Sequence, residues 1–360
     1  MTVRFEVTGD GATLTQSSST DINGRATVAW SLGASAGEYR LRAEIDDAPP
    51  VVFSARACLR LDGNGCDIGP IACDTTQNCG LLAFVSDRSG NPEIYTSRID
   101  GSDVKRLTDN TALDNQPVWS PDGATIAFVS KRFGGEALFV MSADGSNVRQ
   151  LTSSDPSWIA SSPTWSPDGR RIAYANGLGI SIVDVATGTA VPAPIGFDRG
   201  SQGDPAWSPD GSRIAFVSDW EAFDFIYEVY TMNTDGSDIQ KLLAGNMTNV
   251  GAPPNLGTYF FQPAWSPDGS RMAAVVCSWS LSYCSPESRL VVTSVNEPAI
   301  RVLAYPGGFS RPTWSKDGRM IAYSSQSCRQ CPISIRYIHS DGTGVGGLIV
   351  ADGYHPSLRR

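Results

Sequence analysis

The stretch PVWSPDG at residues 117–123 decides the fold of this 360-residue chain, because it recurs along the sequence. The motif P-x-W-S-P-D-G occurs four times, and a fifth copy reads PTWSKDG at residues 312–318. The repeated tryptophans lie 42 to 58 residues apart, at Trp119, Trp165, Trp207, Trp265 and Trp314. A period of this length is typical of stacked or radial β-repeats.

Each repeat carries signals for four short strands. The SPDG turn is followed by an apolar run such as residues 126–129, then by a second run such as residues 138–140. A tight turn at residues 144–146 and a short segment at residues 149–152 complete the unit. Short apolar runs bounded by Gly and Asp indicate buried strands. Four antiparallel strands per repeat predict the blade of a β-propeller, with the tryptophan as a packing anchor between blades.

The two ends of the repeat region predict how the ring closes. Residues 81–108 supply the second, third and fourth strands of a further unit that lacks its own Pro-x-Trp strand. Residues 354–358, YHPSL, reproduce the beginning of such a strand at the C-terminus. We therefore expect an all-β, six-bladed propeller whose C-terminal strand completes the first blade and removes the exposed sheet edges.

With these motifs, residues 81–358 resemble the TolB-like β-propeller family. Residues 117–152 follow the repeat of that family nearly throughout. The resemblance implies the fold. It implies little about function, because related repeats occur in envelope scaffold proteins, in propeller domains of peptidases and in many secreted proteins.

The first 57 residues have a different pattern. Apolar and polar residues alternate at residues 3–7, 26–30, 39–43 and 51–55, as in half-buried strands. The run at residues 20–43 resembles bacterial Ig-like domains of the invasin and intimin type. A complete domain of that kind has about 100 residues, so we expect a partial Ig-like domain at 1–57, a cysteine-rich linker at 58–80 and the propeller at 81–360. The chain is then expected to be a piece of a longer protein or a truncated gene model.

Composition excludes several classes of function. The net charge is −9 with no basic cluster, which argues against nucleic acid as a partner. No apolar stretch of 18 residues occurs, so no membrane span is predicted. The chain has only two histidines, and its GxSxG and GxGxxG matches fall on β-turns. We therefore expect no enzyme activity, no catalytic residue, no cofactor and no metal site, in a periplasmic or secreted protein.

The eight cysteines form closely spaced sets. Cys277 pairs by proximity with Cys284, and Cys328 with Cys331, while Cys58, Cys66, Cys73 and Cys79 lie in the linker. An even number of cysteines in a chain of secreted character favours disulfides. A zinc site in the linker and a redox role for the C-x-x-C at 328–331 are the less favoured alternatives.

Strand parity predicts two different faces of the propeller. The SPDG and DGS turns lie together on one face, here called the short-turn face, and the remaining connections lie on the opposite, long-loop face. Every long insertion falls in the second set, at residues 153–161, 195–203, 219–228, 244–261, 277–289 and 325–332. Because variable loops on a rigid scaffold often carry binding residues, the long-loop face is the predicted working face.

Aromatic residues are abundant in these long loops, where they suit protein interfaces and sugar-stacking platforms. The alternative is that half of them only cover the ends of the blades. The eight candidates are Trp158, Trp220, Phe223, Phe225, Tyr259, Phe260, Trp279 and Tyr283.

One polar residue precedes each repeat proline, at the entrance to the innermost strand. Six-fold repetition predicts that these residues surround the mouth of the central channel on the long-loop face. They are Gln116, Ser162, Asp204, Gln262, Arg311 and His355. Such residues often satisfy backbone groups or channel waters; alternatively, Asp204, Arg311 and His355 orient a polar segment of a partner or a small ligand.

These features favour a non-catalytic binding or scaffold protein with a protein partner in the cell envelope or outside the cell. A carbohydrate-binding module is the first alternative. The second is the propeller domain of a larger hydrolase whose catalytic domain lies elsewhere.

Overall fold

The structure is a computed structural model of the chain. It describes residues 80–155, 159–177, 179–192, 202–220, 227–243, 258–278, 288–296, 300–305, 311–326, 332–343 and 346–359, together with the backbone of five strands nearer the N-terminus. The chain divides into two units, Met1–Gly69 and Pro70–Arg360. All the secondary structure in the described residues is β, as predicted.

Five strands belong to the first unit: β1 (Val3–Thr8), β2 (Thr13–Leu14), β3 (Trp30–Ser31), β4 (Gly37–Ile45) and β5 (Val51–Ala57). β4 lies between β1 and β5 in an antiparallel sheet, and β2 pairs with β3 separately. The long strands begin within two residues of the alternating runs at residues 3–7, 39–43 and 51–55. The Ig-like assignment of this unit remains a prediction.

In the described part of the second unit, six four-stranded antiparallel sheets form the blades. Blade 1 contains β6 (Leu81–Ser86), β7 (Glu93–Arg98) and β8 (Lys105–Arg106). Blade 2 contains β9 (Asp114–Trp119), β10 (Thr125–Phe133), β11 (Gly135–Ser142) and β12 (Arg149–Gln150). Blade 3 contains β13 (Ser161–Trp165), β14 (Arg171–Ala175), β15 (Ile180–Asp184) and β16 (Ala190–Pro192).

The remaining blades repeat this order. Blade 4 contains β17 (Gln202–Trp207), β18 (Arg213–Ser218), β19 (Glu228–Asn233) and β20 (Gln240–Leu243). Blade 5 contains β21 (Thr258–Trp265), β22 (Arg271–Ser278), β23 (Arg289–Ser294) and β24 (Arg301–Ala304). Blade 6 contains β25 (Thr313–Trp314), β26 (Met320–Ser325), β27 (Ser334–His339) and β28 (Gly347–Val350), and the last strand is β29 (Tyr354–Leu358).

The ring closes through the C-terminal strand, as the sequence predicts. β29 pairs antiparallel with β6, with Leu358 opposite Leu82 and Ser357 opposite Ala83. The backbone N–H of Arg359 also donates to the carbonyl of Leu81 at 2.7 Å. Blade 1 therefore joins both ends of the repeat region, and the innermost edge of β6 is covered.

The core of the propeller lies between the blades. In the described residues, six clusters of buried apolar side chains each combine residues from two adjacent blades. The I-A-F pattern of the second strand explains this arrangement, because neighbouring side chains on a strand point to opposite faces. In β10, Ile126 packs toward blade 1 and Ala127 toward blade 3.

The repeated tryptophan fills the space that the small alanine leaves on the preceding blade. Trp165 packs on Ala127, and its indole N–H donates to the carbonyl of Val118 in blade 2 at 3.1 Å. Trp265 and Trp314 make the same hydrogen bond to their preceding blades. In blade 1, Leu358 takes the tryptophan position against Ala322.

Side-chain hydrogen bonds fix the SPDG turns. In the first copy, the Ser120 hydroxyl donates to Asp122 Oδ1 at 2.6 Å, and the backbone N–H of Ala124 donates to the same oxygen. Gly123 supplies the left-handed conformation, with φ at 67°. The same hydrogen bonds, led by the one from the Ser266 hydroxyl, lower the pKa of Asp268 to about 2. The turns therefore keep their shape and their negative charge at neutral pH.

Truncating Leu358 tests the closure. We expect Leu358→Ala to lower the free energy of unfolding by about 2–5 kcal/mol, because it leaves a cavity in the interface between blades 6 and 1. Leu348→Ala in β28 is the matched control, since Leu348 is 51% exposed and Leu358 only 5%. We expect the control to change stability by less than about 0.5 kcal/mol. Equal effects in urea unfolding would contradict the closed ring.

Candidate functional site

Most of the six residues that precede the repeat prolines have an unusual backbone. Five of them, Gln116, Ser162, Asp204, Gln262 and His355, have φ between 45° and 54°. In each of these five blades, the pairing of the first and second strands shifts register at this point. A left-handed residue before proline is unfavourable in isolation, so the surrounding sheet must hold it in place. A bulge of this kind re-aims the side chain, here toward the channel.

Arg311 connects these residues across the channel. Its Nη2 donates to Gln116 Oε1 at 3.1 Å and to Ser162 Oγ at 2.6 Å. Ser162 belongs to blade 3, which lies opposite blade 6 in a six-bladed ring. The guanidinium of Arg311 therefore lies across the channel axis.

Asp204 continues the network on the other side of Ser162. The Ser162 hydroxyl donates to Asp204 Oδ1 at 2.6 Å, and the backbone N–H of Gln262 donates to Asp204 Oδ2 at 3.1 Å. Both carboxylate oxygens thus have a neutral donor. Burial lowers the pKa of the Arg311 guanidinium, and the nearby Asp204 carboxylate opposes this change. Arginine nevertheless remains charged in proteins, so the ring contains one cation and one anion that are not in direct contact.

His355 occupies the sixth position, between Arg311 and Gln116 in ring order. Its Nδ1 lies 2.7 Å from Asn115 Oδ1, and its backbone N–H donates to Ser324 Oγ. Burial, together with the positive charge of Arg311, lowers the pKa of His355 from 6.5 to about 3. The imidazole is therefore neutral at physiological pH and donates its Nδ1 proton to Asn115.

A cavity of about 260 Å³ leads away from this ring. Its floor is formed by Ser162, Asp204, Gln262 and Arg311, and its walls continue along the innermost strands past the tryptophans to the SPDG turns. We call this cavity the funnel. The prolines that line it are Pro117, Pro121, Pro163, Pro167, Pro205, Pro209, Pro263, Pro312 and Pro356. Because the innermost strands of blades 2 to 5 run from the ring to an SPDG turn, and the turn prolines Pro121, Pro167 and Pro209 line the cavity, the funnel opens on the short-turn face.

The polar ring lies at the long-loop end of the innermost strands, and the structure brings its residues together. The described lining of the funnel leads from this ring to the short-turn face. Most of the long loops lie outside the described residues, so the long-loop face as the working face stays a prediction. The six-fold recurrence of the prolines that form the funnel walls is the sequence signal for this cavity.

Three of the eight candidate aromatic residues lie in the described parts of the long loops. Phe260 is fully buried in the interface between blades 4 and 5, so its ring is not available to a partner. Tyr259 is 8% exposed and stacks on Phe261, and Trp220 packs against Tyr230 with ring centroids 5.9 Å apart. These three rings cover the blades. Trp158, Phe223, Phe225, Trp279 and Tyr283 lie outside the described residues.

One cysteine lies in the described part of the chain. Cys277, at the end of β22, is buried and disulfide-bonded. Its pairing with Cys284 remains a prediction, because Cys284 lies outside the described residues. The same holds for Cys58, Cys66, Cys73, Cys79, Cys328 and Cys331.

Two absences concern the described residues alone. Within them, no group of three or more His, Cys, Asp or Glu side chains is arranged to hold a metal ion. In the same residues, no helix has the length and apolarity that crossing a bilayer requires.

Comparisons with known proteins agree with this fold. Residues 76–189 match the family model described as PD40, TolB beta propeller domain. A stretch of 44 residues is 50% identical to part of the Tol-Pal system protein TolB of Geobacter sulfurreducens. The matched stretch makes up 12% of this chain and 10% of that protein. The crystal structure of TolB from Acinetobacter baumannii superposes with a TM-score of 0.64 at 15% identity, over 99% of this chain and 82% of that chain.

An enzyme has a similar fold. An oligogalacturonate lyase in complex with manganese superposes with a TM-score of 0.51 at 15% identity, over 75% of this chain and 74% of the lyase. At such identities the structural matches concern the fold alone. They confirm the β-propeller fold that the repeats predict, and the family model extends the TolB-like resemblance over residues 76–189.

The left-handed bulge can be tested at Gln262. We expect Gln262→Gly to be more stable than Gln262→Ala by about 0.5–1 kcal/mol, because glycine adopts positive φ without strain. Gln240 in β20 is the control, since it is exposed and has no positive φ. There the order should reverse, with Ala more stable than Gly. Urea unfolding of the four variants measures both differences, and the same order at both sites would exclude the strained bulge.

His355 should make stability depend on pH. Its folded-state pKa of about 3 lies below 6.5, so the unfolded state binds the proton first as the pH falls. Stability should therefore decrease below about pH 6.5, by about 2 kcal/mol between pH 7 and pH 5. His355→Gln should remove this component, whereas His339→Gln, which changes the other histidine of the chain, should retain it. Unfolding curves at both pH values test this, and an unchanged pH dependence in His355→Gln would contradict it.

Proposed function

We propose that this chain is a non-catalytic binding protein that works outside the cytoplasm and receives a segment of a protein partner in the funnel. The observation that carries the proposal is the funnel itself, a cavity of about 260 Å³ with a polar, charged floor and proline-rich walls. Concave sites with largely apolar walls and a few fixed polar groups are typical of ligand recognition.

The rigidity of the funnel supports this role. Its walls are the six innermost strands, each of which is fixed by a buried side chain in an interface between blades. Proline further restricts the wall backbone. A preformed site of this kind loses little conformational entropy when a partner enters, and this favours affinity.

The hydrogen bonds of the residues in the funnel floor support binding rather than catalysis. Asp204 accepts hydrogen bonds on both oxygens, and Arg311 uses Nη2 to fix Gln116 and Ser162. The Ser162 hydroxyl donates to Asp204, and the only ring histidine faces Asn115. In the described residues of the funnel, no hydroxyl is therefore paired with a histidine in the way that an activated nucleophile requires.

The proposed cellular location and the proposed class of partner rest on similarity to known proteins. The relative from Geobacter sulfurreducens is named as part of a Tol-Pal system, and we propose an envelope or extracellular protein as the partner here as well. The proposed organisation is a partial Ig-like domain at 1–57, a cysteine-rich linker at 58–80 with disulfides, and the propeller at 81–360. Components of a Tol-Pal system are the first candidates for the partner.

Photo-crosslinking from the two ends of one strand tests the working face. Ala124 precedes β10 on the short-turn face, and Phe133 ends β10 on the opposite face; both are exposed. With benzoylphenylalanine at either position, we expect saturable crosslinking to an envelope protein from position 124 and none from position 133.

The Asp204→Ala/Arg311→Ala double variant should lose this crosslink while retaining a folded circular dichroism spectrum. Crosslinking from position 133 alone would instead assign the partner to the long-loop face. If neither position crosslinks and a glycan array gives specific binding, the carbohydrate alternative replaces the proposal.

A further inference from the structure

The Arg311 guanidinium has donors that the ring does not use. Of its five N–H groups, the two on Nη2 bind Gln116 Oε1 and Ser162 Oγ. Those on Nε and Nη1 have no partner in the described residues. No Asp or Glu oxygen of the described chain lies within 4.0 Å of this guanidinium, although Arg311 is part of the funnel floor.

Two other arginines of this propeller, the exposed Arg106 and the half-buried Arg132, pair directly with a buried carboxylate. Arg106 forms an ion pair with the fully buried Glu93 at 3.0 Å, and Arg132 forms one with the fully buried Asp114 at 2.8 Å. A cation removed from bulk water is costly unless an anion compensates it. Arg311 has no such direct pair in the described residues, because Ser162 Oγ lies between it and Asp204. A carboxylate in direct contact with Arg311 would have to enter from the funnel.

Asp204 does not compensate Arg311 by contact. Its two oxygens are directed to Ser162 Oγ and to the backbone N–H of Gln262. The side-chain oxygen Gln262 Oε1 is buried without a hydrogen-bond partner. The floor therefore holds a cation with free donors and, in the same cavity, an unpaired amide oxygen that can accept a hydrogen bond but donates none to a carboxylate.

The short-turn face carries both arginines and the carboxylates of the repeated turns. Three arginines lie over the indole rings of the following blades, with 4.9 to 5.5 Å between the guanidinium carbon and the ring centroid. They are Arg171 over Trp207, Arg271 over Trp314 and Arg359 over Trp119. The carboxylates of the SPDG turns accept hydrogen bonds from serine hydroxyls and backbone N–H groups and stay ionised, as at Asp122 and Asp268. The attraction for an anion therefore comes from Arg311 in the floor and not from the rim.

We propose that the funnel floor binds a carboxylate group of the partner segment, which accepts hydrogen bonds from the free Nε and Nη1 groups of Arg311. The inference rests on the proposed function, because it names the chemistry of the segment that enters the funnel. Charge-assisted hydrogen bonds to a guanidinium are about twice as strong as neutral ones. The apolar proline walls then contact the aliphatic part of the same segment.

Short peptides test the inference without the natural partner. The probes are acetyl-Ala-Glu-Ala-amide, its isostere acetyl-Ala-Gln-Ala-amide, and acetyl-Ala-Ala-Ala with a free C-terminal carboxylate. Tryptophan fluorescence reports binding, because Trp119, Trp165, Trp207 and Trp265 line the funnel. We expect the glutamate peptide to bind at least about tenfold more tightly than the glutamine peptide. The third probe shows whether the funnel binds a C-terminal carboxylate as well as a side-chain carboxylate.

Variants of Arg311 and Asp204 should change the affinity for the glutamate peptide in opposite directions. Arg311→Met should abolish the preference for glutamate, and Arg311→Lys should retain part of it. Asp204→Asn should increase affinity for the glutamate peptide severalfold, because it removes a negative charge near the site. Arg170→Met is the matched control, since it removes an exposed cation that does not line the funnel. We expect it to change neither the affinity for the glutamate peptide nor the preference for glutamate over glutamine.

Two results would overturn the inference. One is equal binding of the glutamate and glutamine peptides to the unaltered protein, which does not depend on the folding of any variant. The other is an unchanged preference for glutamate in Arg311→Met with an intact melting transition. Either result leaves the crosslinking test of the proposed function unaffected, so the failure of one proposal can be told from the failure of the other.

Discussion

Every other feature of this propeller depends on the contact between a large side chain at the end of one innermost strand and a small alanine on the preceding blade. Trp165 on Ala127 shows the principle: the indole fills the space above the alanine, and its N–H binds the backbone of the same neighbour. Because the core lies between blades, no blade buries its apolar faces alone. The closing strand β29 is therefore part of the core, and Leu358 makes in the last interface the contact that a tryptophan makes in the others.

The backbone conformation of the innermost strands also positions the residues of the polar ring. Five of the pre-proline residues have left-handed φ and interrupt the pairing of the first two strands. A regular strand would direct alternate side chains into the interfaces between blades. The bulge instead presents one polar side chain of each of these five blades to the channel, where Ser162 binds both Arg311 and Asp204. Strain at these positions is held by the surrounding sheet, as is common at functional sites.

Much of the fold could be predicted from sequence, because the relevant signals are local. The SPDG turn, the I-A-F strand and the YHPSL terminus each have a specific conformation, and repetition makes them unambiguous. The ring residues could also be identified, since position within a repeat maps to position around the axis. The contacts among the ring residues could not be predicted, because these contacts depend on side-chain length and on distances across the channel. Phe260 illustrates a second limit: its place in a long-loop segment suggested exposure, but β21 extends through that segment and buries the ring.

Arg311 also links parts of the ring that are distant in the sequence. Its hydrogen bonds join blades 2, 3 and 6 at the channel. Among the described residues, those that line the funnel belong to the innermost strands and the SPDG turns or adjoin them. One guanidinium therefore joins blade 6 to two blades with which it shares no interface, so a change at this side chain alters opposite sides of the ring together.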